Sequence, residues 1–139
     1  MQNLPKPVVW AGITFMLVIS FVHLIVTPYT FEDAMYKGLL FVVSAISALI
    51  AAMGIQEGHK VWGWGLASIV AGATFASYLA SGTIGLPGLP AQPDAWREPL
   101  ALIALVAKGL MLGLAGWVFA AARSSARHGA HSPVGYDAR

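Results

Sequence analysis

Four apolar stretches dominate the chain, at residues 8–26, 38–55, 61–80 and 99–122, with polar and charged residues gathered into the segments between them. Within a stretch the apolar positions run all round a helix and do not form one stripe, which is the pattern of a helix facing lipid as well as neighbours. A hydrocarbon core of about 30 Å takes about 20 helical residues, and a spanning segment must pair its backbone groups internally. The expected architecture is therefore all-α: an integral membrane four-helix bundle over residues 1–122, with helices near 8–26, 35–55, 61–80 and 99–122. A flexible tail is expected over 123–139. The first stretch exceeds a signal-peptide core of about 7–15 residues and is followed by Val26-Thr27-Pro28-Tyr29, which offers no small-x-small cleavage site, so it is taken as a membrane helix.

Composition agrees: 58% of the residues are hydrophobic and 10% charged, too apolar for a soluble domain of 139 residues. The absence of cysteine excludes disulfides, thiolate metal sites and a cysteine nucleophile. The net charge of +2 reflects topology and not a nucleic-acid footprint, because five of the eight Lys and Arg residues lie in short segments next to the apolar stretches. Lys6, Lys60, Arg123, Arg127 and Arg139 fall on one side of the expected bundle, and Lys37 and Arg97 on the other. The positive-inside rule then predicts both termini in the cytoplasm. Trp10, Trp62, Trp64 and Trp117 are expected at the inner interface, and Tyr29, Tyr36, Tyr78 and Trp96 at the outer one.

The helix ends carry further expectations. Thr30 with Glu32 and Asp33 reads as an N-cap and an acidic first turn for the second helix. Glu98-Pro99 reads as the start of the fourth, where proline loses nothing by lacking an N–H. Between them, residues 81–98 are dense in Gly and Pro and predict a structured or re-entrant turn on the outer rim. Three small-residue series predict close packing: Ser44, Ala48 and Ala52; Gly65, Gly72, Ala76 and Ala80; and the GxxxG pair Gly109 and Gly113. Internal bundle packing is the simpler use for them, a seam for another subunit the alternative. The two hairpins share no pattern, so inverted-repeat transporter logic finds no support.

Two residues stand out as chemistry-bearing. Lys108 lies about 15 Å below the outer end of the fourth helix, where a lysine costs upwards of about 2.5–3.5 kcal/mol and should face the interior, water or a partner's carboxylate. No acidic residue is expected at that depth, but Ser20, Ser44, Ser47, Thr74 and Tyr78 are, as a polar core. The functional readings are a cation site, a proton relay or an anchor for an anionic group; the simpler one is a snorkelling or hydroxyl-bonded lysine. His23 is expected about one turn below the outer end of the first helix. A neutral imidazole there suits a metal ion or a haem iron, with Glu32, Asp33, Asp94 or Glu98 as outer-face partners. It has no second histidine within the spans to complete an axial haem pair, and a bond to a loop carbonyl or to Glu32 is the simpler reading. His128 and His131 have a metal-like spacing, but the glycines and proline around them favour a flexible tail.

The order of motifs resembles one protein family. His23 is followed by Thr27-Pro28, then by Ala34-Met35-Tyr36-Lys37-Gly38-Leu39-Leu40-Phe41, then by Trp62-Gly63-Trp64. Ser81-Gly82-Thr83-Ile84-Gly85-Leu86-Pro87-Gly88 and Trp96-Arg97-Glu98-Pro99-Leu100 complete it. Over about residues 12–116 this is similar to a group of small, functionally uncharacterised four-helix bacterial membrane proteins with a (Ser/Arg)-Thr-x-Gly-Leu-Pro-Gly outer loop, distantly DoxX-like in outline. The resemblance implies a bacterial cytoplasmic (inner) membrane and this architecture, not a reaction. The chain departs from the family pattern at Gly82, where an arginine is expected, and in having no acidic residue near Lys108.

Three functions are compatible with these residues, none of which forms a catalytic set. The first in order is a non-catalytic accessory or assembly subunit of a larger membrane complex, partnered by lipid and by other membrane subunits or further copies of itself. The second is a protein that binds or transports a small solute, lipid or metal ion at an outer-face site built from Lys108, His23, Glu32, Asp33, Tyr78 and Glu98, with His23 as the metal candidate. The third is a haem-binding redox protein using His23. No cofactor is required by the residues, and no nucleic-acid partner is expected.

Overall fold

The computed structural model describes residues 4–129. Four helices, α1 (Lys6–Asp33), α2 (Met35–Gln56), α3 (Lys60–Thr83) and α4 (Pro99–Gly129), pack side by side, and each is long and apolar enough to cross a membrane. Contacts run α1 to α2, α2 to α3, α3 to α4 and α4 back to α1, which closes the bundle. One end carries the α2–α3 connection, the N-terminal end of α1 and the C-terminal end of α4; the opposite end carries the α1–α2 and α3–α4 connections. Large apolar side chains such as Leu17, Phe21, Leu39, Val43, Ile69 and Val106 are exposed around the outside, as lipid-facing residues are.

The core explains the helix faces. Ile13, Met16 and Ile19 of α1 meet Ala48, Ala51 and Ala52 of α2, Trp64, Ala67 and Ala71 of α3, and Ala107, Met111 and Ala115 of α4. Trp64 is only 1% exposed, its indole lying 2.8 Å from where a Cβ on Gly12 would sit. It is therefore a core residue and not the interfacial anchor expected of it: the glycine opposite makes room for the largest side chain of the interior. The alanine series on α2 is buried as anticipated. On α3 the buried face is instead Gly63, Trp64, Ala67, Val70 and Ala71, with Ala76 exposed. On α4, Gly109 and Gly113 are both exposed, and a Cβ on Gly113 would meet nothing within 4 Å. Most of these two series lies off the buried core that Trp64 and Met111 fill, although Gly72 faces Leu112 and Gly109 faces Phe75 between α3 and α4.

The connections differ from expectation in an informative way. α1 does not stop at Val26 but runs through Pro28 to Asp33, and the whole break between α1 and α2 is Ala34 in extended conformation (φ −165°). Thr30 is thus buried in α1, its hydroxyl donating to the Thr27 carbonyl at 2.7 Å, and is not the cap of α2. Glu32 and Asp33 form the last turn of α1; Ala34 is the N-cap of α2 and makes no side-chain cap bond. Asp33 instead pairs with Lys37 across the break. The α2–α3 connection is a Schellman turn: His59 N–H donates to the Gly54 carbonyl at 2.9 Å and Gly58 N–H to Ile55 at 3.2 Å, with Gly58 at φ +81°. Immediately beyond it α2 and α3 touch backbone to backbone, since a Cβ on Gly63 would lie 2.6 Å from atoms of Gly54 and Ile55.

The α3–α4 connection is structured, as its composition suggests. Leu86 and Leu89 exchange backbone bonds of 3.1 and 2.8 Å around Pro87-Gly88, with Gly88 at φ +79°, the residue order of a type II turn. A short 3₁₀ helix (Pro93–Arg97) follows, and α4 begins at Pro99 with Glu98 accepting its first bond from Leu102. α4 continues to Gly129, into residues expected to be tail; alanines and arginines suit a helix, and the Ser124 and Ser125 hydroxyls bond back to Ala121. His131 lies outside the described residues.

Candidate functional site

Between the halves of the helices nearest the α1–α2 and α3–α4 connections lies a cavity of about 1340 Å³. Its floor is set by Lys108 and His23. The extension of α1 to Asp33 puts His23 ten residues below that helix end, and Lys108 is nine residues below Pro99, so both lie about 15 Å of helix from the mouth. The expectation that His23 lies one turn below the end is corrected for the same reason. Lys108 is 5% exposed and His23 3%, and both line the cavity. His23 Nδ1 lies 2.7 Å from the Ile19 carbonyl and its ring tilts against Phe41 at a centroid distance of 4.9 Å. In the neutral ring the Nδ1 proton is donated to Ile19, which leaves Nε2 as an acceptor.

One wall is polar. Thr74, Ser77, Tyr78 and Ser81 recur at helical spacing on α3, joined by Ser44 from α2. Thr74 donates its hydroxyl proton to Val70 at 2.7 Å and Ser77 to Ala73 at 2.8 Å, so these oxygens face the cavity as acceptors. The other wall is apolar, made by Val22, Ile25 and Val26 of α1, Leu40 and Phe41 of α2 and Ala104 of α4. The rim carries Glu32, Asp33, Asp94 and Glu98, with Asp33 neutralised by Lys37. A strap covers part of the mouth: Tyr36 donates to the Pro87 carbonyl at 2.7 Å, Gln92 N–H to Ser81 at 2.9 Å, and Trp96 Nε1 to Gly82 at 3.3 Å. The Trp96 indole occupies the space a side chain at Gly82 would need and meets Tyr78 edge-on at 5.3 Å, so an arginine at 82 would displace it.

All six residues singled out from the sequence, Lys108, His23, Glu32, Asp33, Tyr78 and Glu98, line this one cavity. Of the anticipated polar core, Ser44 and Thr74 join them. Ser20 does not; it donates to the Ala45 carbonyl at 3.0 Å and ties α1 to α2. Ser77, Ser81 and Tyr36 were not anticipated, although the recurrence Thr74, Ser77, Ser81 at spacings of three and four marks a polar stripe on an otherwise apolar helix. Among the described residues no three of His, Asp and Glu converge on a metal-sized site. His23 alone offers one nitrogen, beside the positive charge of Lys108, and that pairing opposes a bound cation. Comparison of the chain with family models, curated protein sequences and solved structures gives no match.

Proposed function

We propose that this is a membrane-embedded binding protein that takes a small solute into the cavity from the side of the membrane onto which the mouth opens. One observation carries the reading: Lys108 is buried inside the bundle on the cavity floor, and no hydrogen bond or ion pair to it is found among the described residues. An intramembrane charge needs a counterpart. A partner subunit approaching through lipid has no access to Lys108, whereas a solute in the cavity does. The same location weakens the ground for an accessory subunit, which rested in part on an outward need for a carboxylate.

The basic residues support one orientation of the bundle. Lys6, Lys60, Arg123 and Arg127 gather at the end away from the cavity, against Lys37 and Arg97 at the mouth, which supports termini in the cytoplasm and a mouth facing outward. The family resemblance supports a bacterial inner membrane for it. The chain has no cysteine, so single cysteines can be read against a silent background. In intact cells Ser77→Cys is expected to react with a membrane-impermeant maleimide, and Ser124→Cys only after lysis. Labelling of Ser124→Cys from outside, or none of Ser77→Cys, overturns the reading.

Assembly into a larger complex stands as a second reading on a separate observation. Gly109, Gly113 and Gly116 are exposed along α4, which gives a flat ridge suited to close approach by another helix. Gly113→Leu is expected to lower the mass of the detergent-solubilised particle if that ridge is occupied; an unchanged mass removes it.

A further inference from the structure

We propose that the cavity is built for a small organic monoanion bearing hydroxyl groups, with its anionic oxygens against the Lys108 ammonium. This rests on the binding reading above. Four features of the cavity specify the ligand's chemistry, and each constrains a different part of it.

The floor fixes the charge. Lys108 offers three N–H donors and a positive charge, and the nearest carboxylates lie about 15 Å of helix away at the rim. A ligand carrying one carboxylate supplies the missing counter-charge inside a low-dielectric shell, where such a pair is strong. The walls fix the donors. His23 Nε2 and the Thr74 and Ser77 oxygens are acceptors, because their protons are already given to Ile19, Val70 and Ala73. An anion alone leaves those acceptors unmatched; hydroxyl groups match them.

The rim fixes the number of charges. Glu32, Asp94 and Glu98 stand over the mouth with Arg97 among them and Asp33 paired to Lys37, so the rim is net negative and repels a polyanion more strongly than a monoanion. The volume, about 1340 Å³, excludes a bare inorganic ion as a filling occupant and exceeds the roughly 300–1,000 Å³ of common ligand pockets. The apolar wall of Val22, Ile25 and Phe41 receives the ligand's carbon skeleton.

The test is calorimetric titration of the full-length protein in lipid nanodiscs with six probes: D-gluconate, acetate, glycerol 3-phosphate, citrate, D-glucose and choline. Gluconate is expected to bind at least about tenfold more tightly than acetate, glucose or choline, since it alone joins the anionic group to hydroxyl donors for the wall. Glycerol 3-phosphate, largely a dianion at neutral pH, is expected to bind more weakly than gluconate, and citrate least among the anions. Lys108→Met is expected to abolish gluconate binding, Lys108→Arg to retain part of it, and Thr74→Val to weaken gluconate but not acetate. Helicity and particle mass of each variant check folding. If glucose or choline binds as tightly as gluconate, or Lys108→Met leaves gluconate binding unchanged in a folded protein, the anion assignment is overturned while the binding reading stands. If none of the six binds, the assignment is overturned as well, and a Ser77→Cys that also resists external labelling takes the binding reading with it.

Discussion

At the scale of the residue, the protein holds one group whose position costs stability. Lys108 is buried at mid-depth without a carboxylate at its level. Lys108→Met is expected to raise the unfolding midpoint in detergent, by a free energy up to about the 2.5–3.5 kcal/mol that a central lysine costs, while removing solute binding. A lysine that is merely structural gives a loss on both measures. That Lys108 stands out in the sequence follows from its isolation in an apolar run. The depth of His23 was hidden. Thr27-Pro28 looks like a helix end, yet α1 carries Pro28 internally, with the Thr27 hydroxyl donating to the His23 carbonyl at 2.6 Å and Thr30 to Thr27. The expected helix ends with the apolar run at Val26, and the seven further residues of α1 move His23 from the rim to the cavity floor.

At the scale of the element, small residues matter where another backbone or a large side chain takes the space beside them. Gly63 faces the Gly54 and Ile55 backbone with no room for a methyl group, and rigid neighbours cannot give way. Gly63→Ala is expected to destabilise the bundle by several kcal/mol in detergent unfolding, whereas Gly113→Ala, which meets only open space, is expected to be neutral or to stabilise by up to about 1 kcal/mol through helix propensity. The sequence carries both glycines with equal emphasis. Spacing states which helix faces can approach another helix, and the choice among them is made by the large side chains that must be housed, here Trp64 opposite Gly12 and Met111 at the centre. This is why the α2 alanines were readable as a seam and the α3 and α4 series were not. The four spans themselves were readable because lipid imposes length and apolarity directly on the chain.

At the scale of the whole molecule, the two ends of the bundle are unlike. One is closed by the Schellman turn and the Gly54–Gly63 contact; the other holds the cavity under a strap fastened by Tyr36 to Pro87. Tyr36→Phe removes that fastening and is expected to speed amide exchange in residues 84–92 while leaving the core of α3 around Ala67 and Ala71 protected, as exchange mass spectrometry in nanodiscs will read. The Gly54–Gly63 crossing has a wider consequence. α2 and α3 leave that point as the two arms of a pair of tongs, and the walls they lend to the cavity begin roughly 15 Å further along. The crossing is a fulcrum, so a single methyl group added there acts with leverage on the jaws. The aperture of the site is in this sense written at a position that no solute touches.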